Sequence, residues 1–174
     1  SGFQKQQGRP VEELFAELRA HGVSILASMI VGMPHQDAEV VQQELDGLLA
    51  LEPSLCQFLI YGPTPGTPFY QRVMESGLLR SDLAADPAQY YRKCDGFTAM
   101  VEHPQLSAAT IEAQQRDCFR QDFERLGPSI YRSVEAWLRG YQTLRLALVA
   151  GTILPLGMLL ELDRELVTAR HASV

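Results

Sequence analysis

The chain has 174 residues, with 15 Lys+Arg against 21 Asp+Glu and a formal net charge of −6. That balance argues against a general binder of nucleic acid or anionic membranes. Hydrophobic and charged fractions of 46% and 21% exclude disordered and low-complexity classes. Three widely spaced cysteines, Cys56, Cys94 and Cys118, make neither a disulfide framework nor a CxxC-type metal clip, and fit reduced cytoplasmic thiols. Ser1 stands where Met is usual and no signal-peptide pattern follows. The expectation is a processed chain, a trimmed one, or a piece of something longer.

From Pro10 to His21 the spacing of Val11, Leu14, Phe15 and Leu18 predicts a helix with one apolar face, started by Pro10 and stopped by Gly22. Val23 to Val31 is apolar almost without alternation, which predicts a strand buried on both faces. After Gly32-Met33-Pro34, the stretch Ala38 to Leu51 predicts a second helix through Val41, Leu45, Leu48 and Leu49, ended by Pro53. Leu55 to Tyr61 is a second buried-type strand, and Phe69 to Glu75 a short third helix stopped at Gly77.

Leu78 to Gln105 reads as irregular, with Asp86-Pro87 and His103-Pro104 as breakers. Ser107 caps a predicted helix to Leu126 whose inward stripe is Ile111, Cys118, Phe119, Phe123 and Leu126. Gly127-Pro128 stops it, and Ser129 caps another with Ile130, Val134, Trp137, Leu138 and Tyr141 inward. Leu146 to Leu160 carries no charge but is shorter than the roughly 20 residues of a bilayer span and is broken by Pro155 and two glycines. It reads as a buried helix pair or interface, with membrane contact the weaker reading.

Helix, strand, helix, strand with short loops is the pattern of βα units on a parallel sheet. Two strands leave unpaired edges, and a stable sheet normally needs three or more, or a covering layer. The pattern therefore predicts that the N-terminal half is cut from a larger α/β sheet.

In such folds ligands bind at the carboxyl ends of strands. Those ends are Ile30 to Pro34 and Ile60 to Pro68, loops of glycine and proline that let a ligand approach the main chain beside apolar Ile30 and Leu59. The competing reading is that Gly and Pro there only turn the chain. His21, His35, His103 and His171 share no metal-ligand spacing and read as solvated, while Cys94 and Cys118 read as buried apolar residues. Arg116, Arg120, Arg125, Arg132 and Arg139 are interleaved with acids as on paired helix faces.

At these two strand ends the sequence resembles the radical S-adenosylmethionine enzymes, in particular the subgroup with an N-terminal cobalamin-binding domain. The residues that carry this are Ser28-Met29-Ile30-Val31-Gly32-Met33-Pro34 and Gln57 to Pro68 with its Pro65-Gly66-Thr67-Pro68 loop. The similarity extends to Tyr90-Tyr91-Arg92-Lys93-Cys94, His103-Pro104 and Gly127-Pro128-Ser129-Ile130. Ser28 to Gly32 stands where the family has its adenine-contacting GxIxGxxE strand. Ser28 replaces the leading glycine and His35 the closing glutamate, so Ile30 and Gly32 carry the match.

The resemblance implies the C-terminal βα units of a partial (βα)6 TIM-type barrel over residues 1–80, followed by a mainly helical extension over 81–174. It implies S-adenosylmethionine contacts at Ser28, Ile30, Gly32, Leu59, Ile60 and Tyr61, with Lys5 facing its carboxylate. It also implies a parent enzyme that reductively cleaves S-adenosylmethionine at a 4Fe-4S cluster, with cobalamin as a further cofactor. The cluster motif CxxxCxxC is absent from this sequence. The piece then supplies part of an adenine wall and a helical lid, is inactive alone, and has the upstream barrel strands and cobalamin-binding domain of the same polypeptide as partners. The competing reading is a non-catalytic helical adaptor that keeps part of a barrel.

Overall fold

The computed structural model describes residues 9–149, as α1 (Val11–Ala20), β1 (Leu26–Val31), α2 (Ala38–Ala50), β2 (Leu55–Ile60), α3 (Pro68–Glu75), α4 (Ser81–Ala84), α5 (Pro87–Lys93), α6 (Ala108–Leu126) and α7 (Ser129–Val149). The protein is a mixed α/β structure. β1 and β2 pair in parallel, from Leu26 opposite Leu55 to Val31 opposite Ile60. A parallel pair needs a crossover, and α2 supplies it. Asp37 caps α2 by accepting from Glu39 N (3.0 Å) and Val40 N (2.9 Å), and Val41, Leu45 and Leu49 form its buried stripe.

The strands differ from expectation in one respect. Only one face is covered. Ala27, Met29 and Val31 of β1 and Cys56, Phe58 and Ile60 of β2 are buried, and most of these join a core with α2 residues and with Ala99, Ile111 and Cys118. Leu26, Ser28, Ile30, Leu55 and Gln57 are exposed and Leu59 is half-buried on the other face. The open face mixes Leu26, Ile30, Leu55 and Leu59 with Ser28 and Gln57, and the described residues place helices on the other. Residues 99, 111 and 118 share the core of the strands, so the chain after residue 80 completes the same hydrophobic cluster.

The two sheet edges are also unequal. On the outer edge of β2, Ile60 N donates to Gly96 O (2.7 Å) and Phe58 O accepts from Gln115 Nε2 (2.7 Å), which donates again to Gly96 O (2.9 Å). A loop carbonyl and one buried side chain thus take the place of a next strand. The far edge of β1 carries no strand among the described residues.

Two helices are turned differently from their sequence stripes. In α6 the buried positions are Ile111, Gln115, Cys118 and Asp122, while Phe123, expected inward, is 61% exposed. The rotation follows from polar inward partners. Gln115 closes β2, and Asp122 takes a two-point fork from Arg132 of α7 at 2.8 and 3.0 Å. In α7, Ile130, Val134, Trp137, Leu138 and Tyr141 were expected inward and all are exposed. The cause is a backbone crossing. Gly22 ends α1 at φ +71°, with Val23 N donating to Leu18 O (2.9 Å). A Cβ built on Gly22 would lie 2.0 Å from Gly140 N, so the side of α7 that meets the body must be its small side.

The region from 78 to 105 is more ordered than its composition suggests. Asp86-Pro87 starts α5: Asp86 accepts from Ala88 N (2.9 Å) and Pro87 fills the first turn. Leu79 bridges Val101 in antiparallel fashion, and Val73, Leu83, Tyr90 and Met100 gather around them. No helix of the described residues is long and apolar enough to cross a membrane. The stretch Leu146–Leu160 lies almost wholly outside the described residues.

Gln115→Leu keeps the volume and removes the donor, leaving the Phe58 carbonyl without a partner. The expected loss is about 1–3 kcal/mol, read as a lower urea midpoint. An unchanged midpoint would show that the β2 edge does not need this closure.

Candidate functional site

The carboxyl ends of β1 and β2 lie side by side, with Ile30 opposite Leu59. The loop from Cys94 to Met100 stands beside them. Ile30, Leu59, Tyr61, Cys94, Gly96 and Thr98 are among the residues lining a cavity of about 320 Å³ on the open face of the sheet. Gly96 sits at φ +77°, and a Cβ there would come 2.8 Å from Leu59 Cδ2. The positive φ favours glycine at this point of the cavity wall, and a side chain there would have to push the tip of Leu59 aside.

The loop after β1 is held by one buried amide. Gln36 is 1% exposed. Its Nε2 donates to Ile30 O (3.0 Å) and to Glu44 Oε2 (2.6 Å), and its Oε1 accepts from Met33 N (2.8 Å). His103 reaches the same loop from a distant segment. Its Nδ1 accepts from Gln105 N (3.1 Å) and Leu106 N (3.0 Å), so Nε2 carries the proton and donates to Met33 O (3.0 Å). His103 was expected to be solvated; it is half-buried and both ring nitrogens are engaged. His21 and His35 are exposed, and His171 lies outside the described residues.

The loop after β2 is held in a similar way. Thr67 donates its hydroxyl to Thr64 O (2.7 Å) and caps α3 by accepting from Tyr70 N (3.2 Å), with Pro68 in the first turn. Buried Tyr90 donates its hydroxyl to Pro63 O. Burial, then the neighbouring Cys94 and tyrosines, push the Tyr90 phenol up to about 12, so it stays a donor at neutral pH. Beyond Tyr61, a second cavity of about 360 Å³ opens between Pro34, Phe69, Leu78 and Val101, and the Tyr61 and Phe69 rings lie 4.1 Å apart.

The expected site residues divide as follows. Ile30, Leu59, Ile60 and Tyr61 line the first cavity together. The Ile60 side chain belongs to the core on the other face, so its main chain is what it offers there. Ser28 is on the same open face, where its hydroxyl donates to Gln57 Oε1 (3.2 Å), but it is not a lining residue. Gly32 is not one either. At φ +84°, with Ile111 Cγ2 2.9 Å from where a Cβ would be, it turns the chain over α6. Lys5 lies outside the described residues. The residues that sequence reading missed are Gln36, Gly96 and Cys94. Gln36 immediately precedes the Asp37 cap, a local sign of an ordered loop; nothing local marks the other two.

Cys94 was expected to be buried and is exposed. It faces the cavity because α5 ends there, with its thiol 4.0 Å from Pro63 O. Cys56 and Cys118 are buried on the covered side. Burial, then the Asp122 carboxylate, push the Cys56 thiol up to about 12, and burial and Asp117 push Cys118 up to about 11. Among the described residues no three His, Cys, Asp or Glu side chains gather as a metal site. At the opposite end of the strands, Arg19, Glu52, Arg125, Arg132 and Glu135 line a third cleft. Their charges are engaged within the molecule: Arg19 with Glu52 (3.0 Å), Arg132 with Asp122 (2.8 Å) and Glu135 with Arg139 (3.0 Å).

Because thiolate is the reactive form, raised values keep Cys56 and Cys118 protonated at pH 8. Iodoacetamide at that pH is expected to label Cys94 alone in the folded chain and all three cysteines in urea. Native labelling of Cys56 at a comparable rate would contradict the described burial.

No family model matches this chain, and no curated protein matches it.

Proposed function

We propose that this chain is the C-terminal part of a radical S-adenosylmethionine enzyme of the cobalamin-binding-domain type, and that its share of the work is to wall the nucleoside. The observation that carries this reading is the one-sided sheet. An apolar face around Ile30 and Leu59 is left open at the carboxyl ends of two parallel strands, beside loops fixed in advance by Gln36, His103 and Tyr90. A flat ring laid on that face meets apolar side chains, while the main chain of Leu59 to Tyr61 offers polar groups to its edge. The unequal edges fit a partial barrel that ends at β2, closed by Gln115, and continues from β1 into upstream strands.

The residues present do not fit an iron–sulfur cluster. Two of the three thiols point into the core, away from the cavity, and the third stands apart from them. The cluster at which the parent would cleave S-adenosylmethionine, and cobalamin with it, would be held outside the described residues. The chain's own contribution is to bind, to orient and to exclude water.

A non-catalytic helical adaptor is the second reading, favoured by the apolar residues that α7 turns outward. The two readings part on the reading frame upstream of Ser1. A CxxxCxxC in frame supports the enzyme, and a start codon directly before Ser1 supports the adaptor. They also part on ligand binding. Millimolar S-adenosylmethionine added to the labelled chain is expected to shift the amide signals of Ile30, Leu59, Tyr61, Gly96 and Thr98, and Ile30→Asp to abolish the shifts. Shifts confined to another surface, or none, would overturn the assignment of the cavity.

A further inference from the structure

The outer face of α7 is built like an inner one. A helix on a protein surface ordinarily turns its large apolar residues to the body and its polar ones to water. In α7 the body side is Ala136 and Gly140, forced small by the crossing with Gly22. The charged side chains Arg132, Glu135 and Arg139 are drawn into ion pairs off the outward stripe. What faces outward is Ile130, Tyr131, Val134, Trp137, Leu138 and Tyr141, with Trp137 65% and Tyr131 71% exposed.

The spacing of this stripe is specific. Ile130, Val134, Trp137, Tyr141 and Leu144 follow one another at alternate steps of four and three residues. That is the seam of a helix packing against a helix, knobs into holes. The seam is also self-complementary. A two-fold axis beside Arg139, with the helices antiparallel, sets Trp137 of each copy on Tyr141 of the other and Val134 on Leu144. None of these layers contains a charge. Taking about 200 Å² for each aromatic side chain and less for the others, the stripe exposes on the order of 600 Å² per copy. That is at the upper limit for a patch left bare on a monomer, and across two copies it clears the roughly 1,000 Å² of a specific interface.

We infer that α7 is the dimerisation helix of this protein, and that the occupant of its outer face is α7 of a second copy. This does not rest on the S-adenosylmethionine reading, and its test is independent of that ligand. Trp137 is the only tryptophan in the chain, so it reports on its own burial. In sedimentation equilibrium the 174-residue chain is expected to show twice the monomer mass, with Trp emission moving to shorter wavelength as concentration rises. Trp137→Glu is expected to halve the mass and leave the helical circular dichroism unchanged. Leu144→Glu, at the end of the seam, makes the same test through mass and emission if the first variant fails to fold. A monomer with water-like Trp emission at all concentrations would overturn the inference by showing the face bare. A monomer with blue-shifted emission would overturn it by showing the chain covering its own stripe. A dimer that survives both substitutions would place the interface elsewhere.

Discussion

A parallel sheet must end somewhere, and the backbone groups of its last strand must be satisfied without another strand. Here Gln115 and the carbonyl of Gly96 do this for β2. Much of the arrangement depends on it. To bring the amide to Phe58 O, α6 must lie with Gln115 inward, which places Ile111 over Gly32 and Cys118 in the core. To bring the Gly96 carbonyl to Ile60 N, the loop after α5 must come down beside Leu59. The same residue therefore ends the sheet and forms the wall of the cavity. The fold and the candidate site share one constraint.

The loops at the two strand ends are fixed by hydrogen bonds from within the chain. Gln36 acts within a few residues of sequence, while His103 and Tyr90 reach in from segments far along the chain. Each ends on a main-chain carbonyl. A buried side-chain donor on a carbonyl costs little when satisfied and much when lost, so the loops are fixed without occupying the open face. The chain keeps its apolar surface at Ile30 and Leu59 free and puts its polar restraints behind it.

The elements were legible where period and punctuation agree. The α2 stripe of Val41, Leu45 and Leu49 and its stop before Pro53 are visible in the sequence, as are the glycine end of α1 at Gly22 and the two strand ends. Orientation was not. Phe123 and Trp137 belong to good apolar stripes, and periodicity cannot tell which side of a helix meets the body when a polar residue such as Gln115 or a glycine such as Gly140 has the stronger claim. One-sided burial of β1 was hidden for a related reason: its open face carries Leu26 and Ile30 with only Ser28 between them, so alternation gives little sign. Of the site, Ile30, Leu59 and Tyr61 could be found because they sit at strand ends. Gly96 and Cys94 could not, because what brings them there is a contact made far along the chain.

The closure of β2 also has a direction in time. Phe58 and its partner Gln115 are 57 residues apart. At a synthesis rate of about 5–20 residues per second, β2 leaves the ribosome several seconds before the side chain that ends it. During that interval the strand can search for its place next to β1 with its other edge still unpaired. The Gly96 carbonyl covers part of that edge first, and Gln115 completes the closure when α6 emerges. The order of the sequence thus makes termination of the sheet the late event in its assembly, and a ribosome stalled between α5 and α6 would hold the chain at its most adhesive.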